Sequence, residues 1–311
     1  WRFQGTTGSP TAPAVVGNTV YVGSQDHYLY ALAANTGEIR WSARAPGPIS
    51  GAPAVGDDAV YVGTRNGFLV GFDREDGRPH WQRELGSEVH APALEDGTLY
   101  VGNFSQTVHA VAAADGTVTW QATVDSDRFV ALTVAVADGS VYAGANGDLR
   151  AFDATSGDER WQAVYGDDSM VQSTPVVAEG TVFVSIGDSL RAIDPADGSE
   201  VWARQTGGAN RPPVVRDGVV YAPGGDRVFA FDAADGTEQW RRDVGGDLDL
   251  AAGSEAVYGT TYDRDLVALD PADGAERWRV AGLRGTTPPA IAEEYLFVGD
   301  EEGTVHAVGP A

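Results

Sequence analysis

One eleven-residue frame, repeated along almost the whole chain, constrains the fold more than any other feature. Its clearest copy runs from Ala230 to Trp240, with a small residue first, an apolar residue second, Asp third, Gly seventh and Trp eleventh. Seven of the eight tryptophans end such a frame and the eighth opens the chain, and we expect all of them to be structural: Trp1, Trp41, Trp81, Trp120, Trp161, Trp202, Trp240 and Trp278. Neighbours in this series are 38 to 41 residues apart, which is the spacing of four-stranded propeller blades.

Each repeat contains four short apolar segments separated by turns, as expected for four antiparallel strands. The eighth repeat stops at Ala311, before its Gly and Trp, whereas Trp1-Arg2-Phe3-Gln4 alternates apolar and polar residues like an outer strand without a blade. We therefore predict an all-β fold, an eight-bladed β-propeller of four-stranded antiparallel blades. It forms a single domain over residues 1–311 and is closed because residues 1–4 complete the blade formed by 286–311.

Turn chemistry explains the polar positions of the frame. Gly at the seventh position supplies the positive φ of a tight turn, and the Asp at the third position can accept hydrogen bonds from amides inside that turn. Ala33, Ala112 and Gly309 replace this Asp in three repeats. Because the position tolerates replacement, we interpret the Asp as stabilising the turn, by about 1 kcal/mol each, rather than as catalytic.

The charge composition restricts the partners of the chain. Asp and Glu number 45 against 21 basic residues, all of them Arg, for a formal net charge of -24. Such a surface excludes nucleic acid as a partner, because phosphates are bound by an excess of positive charge. The acidic, Lys-free composition resembles that of proteins from extreme halophiles, in which salt screens the repulsion between carboxylates.

The chain has no Cys, which excludes disulfides, thiolate metal sites and a cysteine nucleophile. No stretch reaches the roughly 18 apolar residues of a membrane span, so no transmembrane segment is predicted. The chain begins inside a repeat and without Met. We expect that an N-terminal anchoring segment was removed and that the protein is extracytoplasmic or at the cell surface.

The frame resembles the tryptophan-docking motif of the pyrroloquinoline quinone (PQQ) propeller repeat, Ala-x-Asp-x-x-Thr-Gly-x-x-x-Trp, over essentially the whole chain. Eight-bladed members of this superfamily are of two kinds. Quinoprotein dehydrogenases are enzymes, whereas shorter propellers without cofactor include the lipoprotein subunit of the bacterial β-barrel assembly machinery, which acts as a scaffold. The resemblance implies the eight-bladed fold for this chain and is compatible with either kind.

Length and composition favour the second kind. The dehydrogenases that the repeat resembles are nearly twice as long, cover the quinone with inserted loops, use a Glu-Asn-Asp calcium set and often contain an adjacent Cys pair. This chain has compact loops and no Cys. We therefore predict a protein that is not an enzyme and has no cofactor, with a PQQ-dependent dehydrogenase containing calcium as the alternative.

Binding is expected on one face of the propeller, where the loops between second and third strands meet the loops that join successive blades. We call this the loop face. Aromatic and Arg side chains dominate the binding energy of many interfaces. Exposed residues of these loops are therefore predicted to contact a protein or peptide partner: Phe104, Arg128, Phe129, Met170, Arg211, Leu248, Tyr262, Leu283 and Arg284.

Paired acids in the same loops are weak candidates for a calcium site, since Ca²⁺ prefers several oxygen ligands: Asp125, Asp127, Asp247 and Asp249. None of the pairs has the regular spacing of a calcium loop, so we predict solvated loops and no metal site. His109 and His306 occupy equivalent third-strand positions and are predicted to be structural. His27 and His90 lie on loops, but they lack a third ligand for zinc.

The sequence thus predicts a monomeric, non-catalytic scaffold that holds a protein or peptide through its loop face and axial funnel. Two alternatives from other classes stay open. One is the quinoprotein dehydrogenase. The other is a sensor domain that binds a small molecule or metal, such as the ectodomain of a membrane kinase.

Overall fold

The computed structural model describes residues 1–5, 8–124, 132–145, 147–165, 171, 173–208, 211–246, 248–261, 263–285, 287–292 and 295–309. Their strands form eight four-stranded antiparallel sheets, so the fold is the predicted eight-bladed β-propeller. The chain divides into two compact units, Trp1–Asp125 with Gly285–Ala311, and Ser126–Arg284. Each unit contains four blades and is described separately.

The first unit contains blades 1 to 3 and blade 8. Blade 1 comprises β2 (Ala14–Val16), β3 (Thr19–Gly23), β4 (Tyr28–Ala33) and β5 (Ile39–Arg44). Blade 2 comprises β6 (Ala54–Val55), β7 (Ala59–Gly63), β8 (Phe68–Asp73) and β9 (Pro79–Glu84). Blade 3 comprises β10 (Ala93–Glu95), β11 (Thr98–Gly102), β12 (Thr107–Ala112) and β13 (Val118–Thr123). Blade 8 comprises β30 (Ala290–Ala292), β31 (Tyr295–Gly299), β32 (Thr304–Val308) and the N-terminal strand β1 (Arg2–Gln4).

The second unit contains blades 4 to 7. Blade 4 comprises β14 (Thr133–Ala137), β15 (Ser140–Ala145), β16 (Asp148–Asp153) and β17 (Glu159–Val164). Blade 5 comprises β18 (Val176–Ala178), β19 (Thr181–Ile186), β20 (Ser189–Ile193) and β21 (Glu200–Gln205). Blade 6 comprises β22 (Val214–Arg216), β23 (Val219–Gly224), β24 (Arg227–Asp232) and β25 (Glu238–Asp243). Blade 7 comprises β26 (Asp249–Ala252), β27 (Val257–Thr260), β28 (Leu266–Leu269) and β29 (Glu276–Val280).

The N-terminal strand completes blade 8, as the alternation at the start of the chain predicts. Phe3 lies opposite Val305, and its neighbours Arg2 and Gln4 lie opposite His306 and Thr304. Phe3 is buried between Val305 and the aromatic ring of Tyr30, whose centroid is 5.4 Å away. Two strands from opposite ends of the chain therefore share one sheet.

Within each unit, the core lies between neighbouring blades, because the second and third strands bury both of their faces. In blade 1, every residue of β3 is buried. One cluster joins Leu29 and Trp41 of blade 1 to Val60 and Phe72 of blade 2. Strands that are buried on both faces have continuous apolar sequences. In the outer fourth strands, apolar residues alternate with residues that face solvent.

Within each unit, the Trp of the frame joins its blade to the next blade. The indole of Trp41 packs on Gly77 of the following turn, where a Cβ would lie 2.6 Å from the ring, and φ of Gly77 is +74°. Trp indole N–H groups donate to carbonyl oxygens one repeat later, at Ala34, Arg74, Ala113, Pro195, Ala233 and Pro271, over 2.8 to 3.0 Å. A side chain at the seventh-position Gly of the frame would displace the Trp ring that packs on it. This close packing is why the frame contains both Gly and Trp.

The third-position Asp caps the turn as the sequence predicts. Oδ1 of Asp73 accepts hydrogen bonds from the amides of Glu75 and Asp76, at 2.8 and 3.1 Å. These bonds hold the pKa of Asp73 below its ordinary value, chiefly through the amide of Asp76. An Arg two residues after the Trp adds a further link that the sequence did not reveal, since Arg204 Nε donates to the carbonyl of Gly236 at 2.7 Å.

Candidate functional site

The loop face is assembled blade by blade from short bridges between loops. In the first unit, Pro10 pairs with Ser24, Ile49 with Thr64, Val89 with Asn103 and Gly285 with Asp300. In the second unit, Val171 pairs with Ile186. In each case a residue of the loop that enters a blade lies beside the loop between its second and third strands. The two kinds of loop thus come together, as predicted.

The second unit contains the best-defined polar group of its loop face, an ion pair between Arg211 and Asp249. Arg211 Nη1 lies 3.2 Å from Asp249 Oδ1. The Asp249 side chain is 7% exposed, whereas that of Arg211 is 44% exposed. The Arg211 backbone is held as well, because its carbonyl accepts a hydrogen bond of 3.2 Å from Ser185 Oγ. A buried carboxylate therefore orients a cation whose side chain is partly exposed.

The prediction that Leu248 and Leu283 are exposed anchors is wrong. Leu248 is fully buried in a cluster with Val244 and Leu250. It fits because Gly259 faces it without a side chain, so that a Cβ there would lie 2.8 Å from Leu248 Cδ2. Leu283 is buried too, with 8% of its surface exposed. Burial of these apolar side chains stabilises the loops, and neither side chain is presented to a partner.

Arg284, another residue predicted to contact a partner on the loop face, is exposed. Its φ of 57° places a non-glycine residue in the left-handed region. Such a conformation costs about 1 kcal/mol or more.

The first unit presents an aromatic group on its loop face. The half-buried ring of Phe104 lies 5.2 Å from that of His90, at an interplanar angle of 49°. The amide of Phe104 donates to the carbonyl of Glu88 at 3.1 Å, which connects the two loops. Beside it, Arg65 Nε lies 3.8 Å from Glu88 Oε1. Phe104 therefore contributes a partly exposed apolar surface next to a charged pair.

The surroundings of His90 favour the neutral form of its imidazole. Burial lowers the pKa of its imidazole, and Nε2 is buried without a hydrogen-bond partner among the described residues. The ring therefore acts as an apolar support for Phe104 rather than as a cation.

Two buried histidine pairs occupy equivalent places in blades 3 and 8. His306 Nε2 lies 2.8 Å from Asp300 Oδ2, and both side chains are at most 7% exposed. In blade 3, Asn103 replaces the Asp, and its Nδ2 lies 3.3 Å from His109 Nε2. The histidines were expected to be structural, and both are buried within their sheets. Their partners lie six residues earlier, in the loop between the second and third strands, and the sequence pattern did not reveal the pairs.

Among the described residues, no group of three or more His, Asp or Glu side chains could hold a metal ion. Asp249 is committed to Arg211, so it does not fit the calcium that a quinone would require. The other candidate ligands, Asp125, Asp127 and Asp247, lie outside the described residues, as do Arg128, Phe129, Met170 and Tyr262. Of the four candidate ligands, the structure thus describes only Asp249.

The described part of the chain contains no helix that is long and apolar enough to cross a membrane.

Comparison with known proteins relates the chain to one family. The model of the family described as outer membrane protein assembly factor BamB matches residues 1–147, 145–279 and 262–311. No curated protein sequence matches significantly.

Solved structures share the fold at low sequence identity. BamB from Moraxella catarrhalis is similar, with a TM-score of 0.84, 18% identity, and coverage of 99% of this chain and 98% of that one. The computationally designed Ika8 protein gives a TM-score of 0.85, also at 18% identity, with 99% and 98% coverage. Quinohemoprotein alcohol dehydrogenase from Comamonas testosteroni gives a TM-score of 0.76 at 15% identity, covering 99% of this chain and 75% of that one.

Proposed function

Because the chain belongs to the BamB family, we propose that it is a non-catalytic scaffold that binds a protein partner through its loop face. BamB is an outer membrane protein assembly factor, so the proposed class of activity is assembly of other proteins rather than chemistry on a substrate. The proposed location is outside the cytoplasm, with an N-terminal segment as the anchor. The protein acts as a monomer and uses no cofactor.

The observation that carries this proposal is the pair of Arg211 and Asp249. A guanidinium fixed by a buried carboxylate loses little side-chain entropy when it binds, and its forked donors match a carboxylate of the partner. Charged groups that are held in place in this way give an interface specificity. The partner surface opposite Arg211 is therefore acidic.

Phe104 of the first unit supplies the apolar contact. Its ring is supported from behind by neutral His90, so little surface reorganisation is needed on binding. Aromatic anchors of this kind carry a large share of interface energy. The Arg65 and Glu88 pair beside it forms a polar edge.

The alternative is a quinoprotein dehydrogenase, because quinohemoprotein alcohol dehydrogenase has a similar fold. That similarity lies below 25% identity and concerns the fold alone. The match of the BamB family model along the chain supports the scaffold over the enzyme.

Matched substitutions test the scaffold. Arg277 pairs with Asp270 at 2.9 Å and is 41% exposed, so it is a close control for Arg211, but it lies at the end of its blade away from the loop face. Partner capture from the membrane fraction of the source organism should fall at least tenfold for Arg211→Ala and Phe104→Ala, and should be unchanged for Arg277→Ala.

Two results contradict the proposal. One is equal capture by all three variants and the parent protein. The other is a quinone spectrum with dye-linked dehydrogenase turnover after addition of PQQ and Ca²⁺, which would identify an enzyme.

A further inference from the structure

Trp278 of blade 7 differs from the other frame tryptophans of the second unit. It is 38% exposed, whereas Trp161, Trp202 and Trp240 are 6 to 8% exposed. The indole N–H groups of those three donate to carbonyl oxygens at 2.8 to 3.0 Å. The indole N–H of Trp278 makes no hydrogen bond with any described residue. Trp278 therefore offers a partly exposed ring and an N–H donor that the described part of the chain does not use.

The surface around Trp278 is apolar. The ring of Tyr258 lies 5.9 Å from that of Trp278 and is half-buried. Val280, two residues later in β29, lies on the same face of the strand and is also half-buried. The guanidiniums of Arg277 and Arg279, on either side of Trp278 in the sequence, are already paired with acids of the same repeat. We call Trp278, Tyr258 and Val280 the blade-7 aromatic surface.

The turns that dock on the other tryptophans show what such a surface fits. Gly198, Gly236 and Gly274 each pack on the Trp of the preceding blade, with φ of +69° to +76°, and a Cβ there would lie 2.5 to 2.7 Å from the ring. The carbonyl that accepts from the indole belongs to the residue three positions before each Gly. The residue before that carbonyl is an Asp whose Oδ1 caps the turn. One Asp-x-x-x-Gly turn thus supplies both a flat face and an acceptor.

We propose that the blade-7 aromatic surface binds an Asp-x-x-x-Gly turn of a partner protein. Its aromatic pair has the arrangement found under a docked turn, since the rings of Tyr221 and Trp240 are 5.8 Å apart and Gly274 packs on Trp240. Docking of a turn would bury the exposed part of the Trp278 ring and give its N–H an acceptor. This site lies on the outer strand of a blade and is additional to the loop face.

A second copy of this chain does not fit as the occupant. Its turns at six described glycines already carry one of its own tryptophans: Gly37, Gly77, Gly116, Gly198, Gly236 and Gly274. Releasing one of these turns would expose a Trp in order to cover another. The partner is therefore a different polypeptide that displays a free turn of this kind.

NMR of the full chain with ¹⁵N-labelled Trp tests this site, because the eight indole N–H groups give separate signals. The probe is a synthetic peptide with the sequence of residues 230–239, which contains the blade 6 turn and no Trp. It should bind in the millimolar range or tighter and shift only the Trp278 signal, which is assigned from its absence in Trp278→Phe. The same peptide with Gly236→Val should bind about tenfold more weakly, because the added side chain holds the turn away from the ring.

Two protein variants complete the test, with affinities measured by calorimetry. Trp278→Phe should bind the peptide about fivefold more weakly, because it keeps an aromatic ring but lacks the N–H donor. Val164→Ala is the matched control, since Val164 is another exposed apolar residue on an outer strand of this unit, and it should bind as the parent protein does.

The proposal is overturned if the peptide does not bind, if the Gly236→Val peptide binds equally well, or if Trp278→Phe binds as the parent does. A Trp278 signal that moves with protein concentration alone would identify a second copy as the occupant and would also overturn it. The loop-face substitutions Arg211→Ala and Phe104→Ala should leave peptide binding unchanged, so this site and the loop face can fail independently.

Discussion

Replacing Asp300 by Asn converts the buried pair of blade 8 into the pair that blade 3 already contains. The Asp300 carboxylate accepts three hydrogen bonds, from the amides of Glu302 and Thr304 at 2.9 and 2.7 Å and from His306 Nε2 at 2.8 Å. Asn retains one oxygen for the amides, as Asn103 does for Thr107 at 3.0 Å. It loses the charge-assisted bond to the imidazole. We expect Asp300→Asn to lower the free energy of unfolding by about 2 kcal/mol at pH 7.

The pH dependence of this loss follows from the pKa of Asp300. Burial alone would raise that pKa, but the hydrogen bonds from His306 and Thr304 outweigh burial and leave it below its ordinary value of 3.8. A carboxyl with a lowered folded pKa stabilises the fold above its unfolded pKa, and this contribution disappears as the pH falls through the folded value. The difference between parent and variant should therefore be full at pH 7 and should shrink below about pH 4.

Urea unfolding from pH 3 to pH 7 measures this difference. Asn103→Asp is the reciprocal control, and it should destabilise at pH 7 for another reason, because Asn103 Nδ2 donates to the carbonyl of Leu85 at 2.9 Å and a carboxylate cannot. The reasoning would be refuted if Asp300→Asn left the free energy of unfolding unchanged, or if it lowered this free energy equally at pH 3 and pH 7.

Three further predictions concern the frame, a strained turn and the surface. Trp161→Phe removes the N–H that donates to Pro195 at 2.8 Å, and thermal unfolding should show a loss of about 2 kcal/mol; no change would contradict the docking role. His27→Gly should stabilise by about 0.5 to 1 kcal/mol in urea, since φ of His27 is 77° where the equivalent Gly67 has 90°; a loss would contradict strain at this turn. Raising NaCl from about 0.1 M to about 1 M should raise the melting temperature, because it screens a net charge of -24, and a fall would count against this.

The eleven-residue frame made the architecture predictable because each of its positions has one local physical role. Gly77 must have a positive φ and no side chain, because Trp41 packs on it. Asp73 must cap the turn that contains Gly77. Local requirements of this kind repeat in the sequence wherever the structure repeats. The pairing of β1 with β32 was predictable for the same reason, since the missing strand of one repeat was present at the other end of the chain.

The candidate site was less predictable because it depends on which way single side chains point. Leu248 lies between two acids in a loop, which suggested exposure, but a glycine on a different strand makes room for it in the core. Arg211 and Asp249 were each noted from sequence, one for a partner and the other for a metal, whereas the structure pairs them with each other. Asp300 lies just after β31 and meets His306 of β32 because these two strands pair as a hairpin.

Site-specific photo-crosslinking tests the central claim, partner binding at the loop face, most directly. A benzophenone amino acid is introduced at Phe104 on the loop face, and in separate variants at Val164 and Val201, which are 67% and 52% exposed on outer strands. Irradiation in the native membrane fraction should give one discrete crosslinked protein from position 104 and none from 164 or 201. Crosslinks from the outer strands alone, or none from position 104, would contradict the claim.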